Sequence, residues 1–464
     1  MSVGRLPRRV KFGYGAAELG IQIVEIQLWV YLFNFYNVVV GLNEFLVGCA
    51  LGVAVFWDAI SDPLMGLVSD RTRSPAGRRR VYLIPGAVLL AASVLVLFNP
   101  PHSDSQAFLF FYLAFSYIAV NSAMTILAVP HTALGGDLSF DRDERTELYG
   151  TRLFFGTIGL MLGVSVPGLI QDSYGGQSNE SLLAVRSYTS FLLVIPIILS
   201  ALASYYATAG HDHASPNQTR LTIATAFAET TRALISALKN RYFVPLVGAF
   251  IVATAGRTLN SSIALYYYEV RLELSRSTTE LYILLPFFLF IVLSILLWVY
   301  LSRRLGKKWP AFWGVAGLGL MTCIVYPLFP AGNAWWPLIA AFVGGILGGA
   351  IILFDSLVAD VVDYDELRSG QNREGVYFGA WRMAAKLARL IGLLVTMVAL
   401  WWAGYENGEP VGADVGWRLA VLFGPVVGLF FLVGAGLFAL TPLTDLRHKR
   451  IQKLLVRRRR LRSS

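Results

Sequence analysis

Charged residues are scarce in this chain of 464 residues: they make up 15% of it, whereas a soluble domain carries roughly 25%. Cysteine is almost missing, and the two present, Cys49 and Cys323, both lie in apolar runs. These shortages exclude a disordered chain, a coiled coil and a disulfide scaffold. No Gly-x-x-x-x-Gly-Lys-Ser/Thr run occurs, and the five histidines form no recognisable triad, so the sequence does not predict an enzyme.

Apolar sequence is what the chain has in abundance, at 56% of all residues, together with 43 Gly and 11 Trp. A helix needs about 20 mostly apolar residues to cross roughly 30 Å of hydrocarbon. Twelve segments meet this requirement, which predicts an all-α membrane protein with twelve transmembrane helices. The predicted spans are 13–40, 44–69, 81–100, 107–133, 147–171, 187–209, 243–270, 279–302, 309–330, 335–363, 375–404 and 416–441.

A long polar segment separates six spans from the other six. It covers residues 210–242, and Thr222–Leu238 within it has the apolar spacing of an amphipathic helix. We therefore predict an N-terminal six-helix bundle over residues 1–209 and a cytoplasmic linker over 210–242. A C-terminal six-helix bundle with a basic cytoplasmic tail is predicted over 243–464.

Lysine and arginine are distributed unevenly between the two sides of the predicted spans. With both termini inside, 30 of the 39 lie in cytoplasmic segments, as the positive-inside rule requires. The net charge of +10 is therefore a topology signal, and we expect no nucleic-acid partner. The sequence predicts a monomer in the plasma (inner) membrane, with the tail Arg457–Arg462 on anionic lipid headgroups. The outer side holds Arg186, Arg271, Arg276 and Arg418.

The two halves share a pattern at equivalent spans. Span 4 ends in an acidic stretch up to Asp137, and Tyr149-Gly150-Thr151-Arg152 follows at the start of span 5. Span 10 ends in Asp360-Val361-Val362-Asp363, and Arg382 follows near the start of span 11. Arg152 and Arg382 occupy corresponding places. Two six-span halves related as parallel repeats are the plan of the major facilitator fold, with substrate bound near the midplane.

Two aspartates lie one helical turn apart inside span 2. Asp58 and Asp62 repel each other, so a bound cation, a proton or a basic partner must neutralise them in the membrane. A bound Na⁺ would be ligated by their oxygens with help from a nearby hydroxyl, for which Ser61 is the candidate; no other metal or cofactor is predicted. Lys386 in span 11 is the candidate coupling partner that pairs with Asp58 when the cation leaves. The alternative is a static bridge between Asp58 and Lys386.

Other polar side chains within the spans are candidates for a substrate cavity. A charged side chain at the bilayer centre costs about 3 kcal/mol or more, so it usually faces a cavity and a partner. Glu25 has the alternative of a buried pair with Arg152 or Arg257. The candidate cavity residues are Gln22, Glu25, Arg152, Arg257, Asn260, Tyr377 and Arg382.

The loop after span 2 combines an acidic residue with several arginines. Asp70 is able to cap a helix end, and Arg71 and Arg78 are able to reach carboxylates of the other half such as Asp363. This pattern predicts a cytoplasmic gate built from these four residues. The alternative is a plain basic loop that only sets the orientation of the chain.

The run Trp57–Gly66, followed by Asp70-Arg71-Thr72-Arg73-Ser74, resembles the glycoside–pentoside–hexuronide:cation symporter family, the melibiose permease-like branch of the major facilitator superfamily. Ala359–Tyr364 and Lys386 are also similar to that family. The resemblance implies cation-coupled transport, with Asp58 and Asp62 as the cation-site aspartates. It also implies that Lys386 is their charged partner and that Arg152 lies at, or within one position of, a cavity arginine.

The substrate pattern departs from that of the sugar carriers. Gln22 and Ala128 stand where the sugar carriers have two aspartates that hold sugar hydroxyls, and Glu25 is able to replace one. We therefore expect a Na⁺- or H⁺-coupled symporter for a glycoside or related polar solute. The alternative is an amphipathic substrate, because the resemblance extends to the vertebrate sodium-dependent lysophosphatidylcholine carriers. A sensor would not need the acidic pair opposite Lys386.

Overall fold

The computed structural model describes residues 6–139, 142–174, 176, 178–211, 235–370, 373–405, 412–442, 450–451 and 454. Among these residues the regular secondary structure is helical, joined by short turns and loops, with no strand. Twelve helices, labelled α1 to α12 here, are long and apolar enough to cross a membrane, which confirms the predicted class and number of spans. They are Arg8–Val39, Glu44–Arg71, Arg80–Leu97, Gln106–Leu138, Glu147–Tyr174, Asn179–Ala207, Phe243–Arg271, Arg276–Leu305, Lys308–Leu328, Trp335–Ser369, Val376–Ala403 and Asp414–Ala439.

The chain divides into two compact units. Unit 1 comprises residues 1–223, 274–285 and 404–410, and unit 2 comprises the rest. Helices α1 to α6 thus belong to unit 1, and most of α7 to α12 belongs to unit 2. The segment 274–285 at the start of α8 groups with unit 1, although the sequence assigns it to the second half. Most of the predicted linker helix, Thr222–Leu238, lies outside the described residues, which resume at residue 235.

In unit 1, α1 is the central helix and packs against α5 and α6. In the apolar 18-residue stretch of α1, 72% of the residues are buried, against 33% in the corresponding stretch of α5. Helix α4 packs against α2 and α3, and α3 also contacts α6. Gly159 of α5 lies directly on the backbone of Leu19, where any Cβ atom would collide with the carbonyl oxygen. This close approach brings the polar face of α1 next to Arg152 at the start of α5.

In unit 2, the packing pairs correspond to those of unit 1. Helix α7 packs against α11 and α12, and α9 packs against α10 and α12. Gly392 of α11 lies on the turn of α7 between Ala255 and Thr258, as Gly159 lies on α1. The internal repeat that the sequence shows at Arg152 and Arg382 is therefore matched by the helix contacts within each unit.

Local capping and π-helical turns fix where side chains lie along the spans. Asn43 caps α2 by accepting a hydrogen bond from the amide of Phe45 at 2.9 Å, which satisfies a donor at the helix start. The π-helical turns Gln27–Tyr31 in α1 and Thr279–Leu284 in α8 shift the helical register, a feature frequent at functional sites. They position Tyr31 and Glu280 for the buried cluster described below.

Candidate functional site

The acidic pair of α2 meets a hydroxyl of α4 inside unit 1. Oγ1 of Thr125 lies 2.8 Å from Oδ1 of Asp62 and 3.3 Å from Oδ1 of Asp58. The Ser61 hydroxyl lies 3.4 Å from Thr125 Oγ1 and 3.3 Å from the backbone carbonyl oxygen of Asp58. Two carboxylates, two hydroxyls and a carbonyl therefore converge at one place. Oxygen atoms of these kinds are the ligands that hard cations prefer.

Thr125 is the member of this group that the sequence did not single out. It is buried, with 3% of its surface exposed, whereas Asp58 and Asp62 are half-buried. A hydroxyl within an otherwise apolar helix is the signal that marks it, but hydroxyls also bond to the backbone of their own helix. Only the packing of α4 on α2 shows that this one faces the acidic pair.

A second polar group in unit 1 joins α1 to α5. Arg152 Nη2 lies 2.7 Å from Oε2 of Glu18, and Gln22 donates to Oε1 of Glu18 at 3.3 Å. Arg152 and Gln22, both predicted cavity residues, are thus brought together by a carboxylate that was not among the candidates. The carboxylate that contacts Arg152 at 2.7 Å is that of Glu18, two helical turns before Glu25 on the same face of α1. The pairing of Glu25 stays a prediction.

His131 lies beside this group and is fully buried. Its Nε2 lies 2.8 Å from the carbonyl oxygen of Tyr14, so Nε2 carries the proton and donates it. Its Nδ1 lies 3.7 Å from Oε2 of Glu18, and its ring is 4.8 Å from that of Tyr14 between centroids. His131 therefore packs α4 onto α1 and lies near the same oxygen of Glu18 that Arg152 contacts.

In unit 2, Arg257 and Arg382 both act electrostatically on the carboxylate of Asp355. Both arginines are exposed residues. Asn260 and Lys386 are half-buried on α7 and α11. The placement of these residues in a substrate cavity, and the role of Lys386 as coupling partner, stay predictions.

Tyr377 has a different environment from the other unit 2 candidates. It is buried with 1% of its surface exposed, its ring packs edge-on against Phe243, and its hydroxyl accepts a hydrogen bond from Asn240 at 2.8 Å. These contacts join the start of α11 to the first residue of α7 and to Asn240 just before it. Its assignment to the cavity stays a prediction.

Two of the predicted gate residues, Asp70 and Arg78, form ion pairs within unit 1. Arg78 pairs with Asp137 of α4 at 2.9 Å, and Asp70 pairs with Arg79 at 2.8 Å. Arg79 also lies 3.0 Å from Asp137, which makes Arg79 and Asp137 the central members of this cluster. Arg71 is exposed.

Asp363 on α10 is half-buried. Its neighbour Asp365 is held by Arg373, with both oxygens at 2.9 Å. A closing contact of the α2–α3 arginines with Asp363 stays a prediction.

The other end of unit 1 contains an ion pair in the protein interior. Arg186 of α6 and Glu280 of α8 lie 2.8 Å apart, with side-chain exposures of 2% and 0%. The Arg186 guanidinium lies 3.8 Å from the centroid of the Tyr31 ring, and Arg276 donates to Asn34 at 2.7 Å. The sequence places Arg186 and Arg276 in outer loops, and the structure corrects this by burying both within helices.

The sequence also matches a known protein family over nearly its whole length. The sequence profile of the family described as MFS/sugar transport protein matches residues 13–445. The chain belongs to this family. It is therefore a multi-pass membrane transporter for small-molecule substrates, of the major facilitator branch that the residues around Asp58 indicate.

Three relatives illustrate what the chain is similar to over most of its length. YagG of Escherichia coli, named as a glycoside/cation symporter, is 25% identical over 98% of this chain and 96% of its own. The isoprimeverose transporter of Lactiplantibacillus pentosus is 22% identical over 88% and 83%. Sodium-dependent lysophosphatidylcholine symporter 1 of Xenopus tropicalis is 21% identical over 96% and 89%.

Solved structures show the fold. The crystal structure of the nucleoside transporter NupG matches with a TM-score of 0.67 over 94% of this chain and 100% of that chain. The sequence identity is 13%, so this likeness concerns the fold alone. The predicted major facilitator fold is confirmed.

Proposed function

We propose that the protein is a secondary symporter that couples the uptake of a glycoside or related polar solute to the entry of Na⁺ or H⁺. The observation that carries the coupling is the convergence of Asp58, Asp62 and Thr125 between α2 and α4. The names of relatives over nearly the whole chain, a glycoside/cation symporter and an isoprimeverose transporter, support the substrate class.

The acidic pair suits a cation whose binding changes the charge of unit 1. Two carboxylates one turn apart repel each other when both are ionised, and a bound cation removes that repulsion. The oxygen set around Thr125 offers Na⁺ several ligands, whereas H⁺ requires only one of the two carboxyl groups. A cation shifts the population of transport states only by its difference in affinity between them, so the site must differ between states.

We also propose that both termini lie on the cytoplasmic side of the plasma membrane. With twelve spans, the ends of α2 and α8 lie on the same side as both termini. Arg78 and Arg79 lie between α2 and α3 and Arg80 begins α3, while Lys307 lies between α8 and α9 and Lys308 begins α9. The accumulation of basic residues at these positions is the pattern of cytoplasmic segments.

The test is uphill uptake into proteoliposomes under an imposed Na⁺ or H⁺ gradient. A thermal-shift screen against glycosides, pentoses, hexuronides and lysophosphatidylcholine, with and without Na⁺, first identifies the solute. Asp58→Asn removes a charge but little volume, so we expect it to abolish gradient-driven accumulation while the melting temperature stays within a few degrees of wild type. Asp104→Asn, in the loop before α4, is the matched control. Wild-type accumulation by Asp58→Asn with unchanged gradient dependence would place the coupling site elsewhere.

An amphipathic lipid is the second candidate substrate. A cavity of about 740 Å³ in unit 1 lies where α1 and α5 begin, and it combines Phe12 and Phe154 with Arg8 and with the ion pair of Lys11 and Glu147. Apolar walls beside charges of both signs suit an acyl chain with a zwitterionic headgroup. Stabilisation by lysophosphatidylcholine, with none by any sugar in the same screen, would favour this candidate.

A further inference from the structure

A carboxylate on α10 combines exposure with a fixed orientation. Asp355 lies near the middle of α10 and is exposed, although the surrounding helix is apolar. Trp381 of α11 donates a hydrogen bond from Nε1 to Oδ1 of Asp355 at 2.8 Å. Trp381 is itself buried, and its ring stacks on Phe250 of α7 with centroids 3.9 Å apart. One oxygen of Asp355 is therefore held by a side chain that packing keeps in place.

The surroundings of Asp355 supply hydrogen-bond donors of opposite charge. Arg257 of α7 and Arg382 of α11 are exposed and act on the carboxylate electrostatically. Within the described part of the chain, the indole of Trp381 is the group that hydrogen bonds to Asp355. The second carboxylate oxygen is thus left for a partner from outside these residues. A mid-span charge with such an arrangement is typical of a substrate pathway.

We propose that Asp355 binds a hydroxyl group of the transported solute and thereby helps to select that solute. The inference rests on the proposed transport function and names a residue of its substrate site. An ionised carboxylate accepts hydrogen bonds from adjacent hydroxyls, and a guanidinium group donates to hydroxyl and ring oxygens. Asp355 with Arg257 and Arg382 offers both kinds of partner on one face of unit 2.

In unit 1, the Glu18 carboxylate is already engaged by Arg152 and Gln22. Asp355 is the carboxylate of unit 2 that we assign to the solute. An acyl chain has no hydrogen-bonding group for the Asp355 carboxylate or for the two guanidinium groups beside it. A sugar gains charge-assisted hydrogen bonds, which are stronger than those between neutral groups.

The experiment measures binding to the purified full-length protein in Na⁺ by calorimetry. The probes are isoprimeverose, melibiose, a phenyl glucuronide and lysophosphatidylcholine. We expect at least one sugar to bind, and Asp355→Asn to raise its Kd roughly 10- to 100-fold, as loss of a charged hydrogen-bond partner does. Trp381→Phe keeps an aromatic ring on Phe250 but removes the N–H donor, so it should raise Kd by a smaller factor. Asp104→Asn is the control with unchanged Kd.

A double-mutant cycle separates contact from a general structural effect. A deoxy analogue of the bound sugar that lacks the recognised hydroxyl should bind wild type weakly, and Asp355→Asn should weaken it no further. If removal of the hydroxyl and substitution of Asp355 weakened binding independently of each other, the proposed contact would be wrong. A Kd of Asp355→Asn for the sugar equal to that of wild type would also contradict it.

The outcomes also distinguish this inference from the proposed function. Binding of lysophosphatidylcholine and of no sugar, with Na⁺-dependent stabilisation retained, overturns the role of Asp355 and leaves cation coupling in place. A wild-type protein whose solute uptake responds to neither a Na⁺ nor a H⁺ gradient contradicts the coupling proposal instead. Asp355→Asn protein that keeps the Na⁺ response of wild type is folded, so a changed Kd in it is informative.

Discussion

Thr125 shows how one buried hydroxyl organises two carboxylates. Its single proton is available to Asp62 at 2.8 Å or to Asp58 at 3.3 Å, while its oxygen lone pairs remain able to ligate a cation. Ser122, one turn earlier on α4, instead accepts a hydrogen bond from the indole of Trp57 at 2.8 Å. The two hydroxyls differ in their partners but share a helix, which makes them a matched pair for mutation.

Thr125→Val is expected to weaken cation dependence without preventing folding. The substitution keeps the shape of the side chain and removes the hydroxyl, so the half-saturating Na⁺ concentration for solute uptake should rise about tenfold. Ser122→Ala should leave that concentration near the wild-type value. The measurement is uptake into proteoliposomes across a series of Na⁺ concentrations. An equal response of the two variants would show that Thr125 does not contact the cation.

At the scale of whole elements, the start of α1 is tied to the segment before α5 through Glu144. Its Oε1 accepts from the Leu6 amide at 2.7 Å, and its Oε2 accepts from Ser139 at 2.8 Å. Desolvation of Glu144 acts to raise its pKa, but these hydrogen bonds and the nearby Lys11 ammonium outweigh it and hold the pKa below its ordinary value. A carboxyl with a lowered folded pKa contributes stability above its ordinary pKa and loses it as pH falls through the lowered value.

Glu144→Gln is therefore expected to loosen the first turn of α1 at neutral pH and to remove its acid sensitivity. Hydrogen exchange at residues 6–12, corrected for intrinsic rates, should show wild-type protection at neutral pH that declines on strong acidification. The variant should show low protection throughout. Glu147→Gln is the control. The Glu147 side chain is largely exposed, and its described hydrogen bond is the one from the Lys11 ammonium. Equal protection in Glu144→Gln and wild type would contradict this account.

The buried pair of Arg186 and Glu280 ties α6 to the start of α8. Removing one member leaves the other charge in the protein interior, which costs about 3–5 kcal/mol. Arg186→Met should therefore destabilise the protein strongly in thermal or denaturant unfolding in detergent. The double variant Arg186→Met, Glu280→Met should recover much of the loss, because no unpaired charge remains. Arg303→Met, at an exposed position of α8, should leave the stability unchanged. An Arg186→Met protein as stable as wild type would refute the estimate.

For the whole molecule, twelve spans require that both termini lie on the same side of the membrane. A reporter active only in the cytoplasm should be active when fused after residue 464 and inactive when inserted beside Asp104, in the loop between α3 and α4. The reason is that the basic segments, which hold 30 of the 39 Lys and Arg residues, resist translocation. Activity at both positions, or at Asp104 alone, would contradict the proposed topology.

The spans and the family were predictable from the sequence because lipid imposes a strict rule on each segment separately. A helix must satisfy its own backbone hydrogen bonds and present apolar side chains, so hydropathy along the chain marks it without knowledge of its neighbours. The acidic pair Asp58 and Asp62 was recognisable for the same reason, since an i, i+4 spacing on one helix is local information.

Contacts between helices were decided only by the tertiary structure. Thr125 faces the acidic pair because α4 packs on α2, Glu18 engages Arg152 because Gly159 lets α5 approach α1, and Trp381 orients Asp355 because α11 packs beside α10. Arg186 looked like an outer loop residue because its partner Glu280 is 94 positions away. Periodicity fixes which face of a helix is polar, whereas the partner of that face depends on packing between segments distant in the chain.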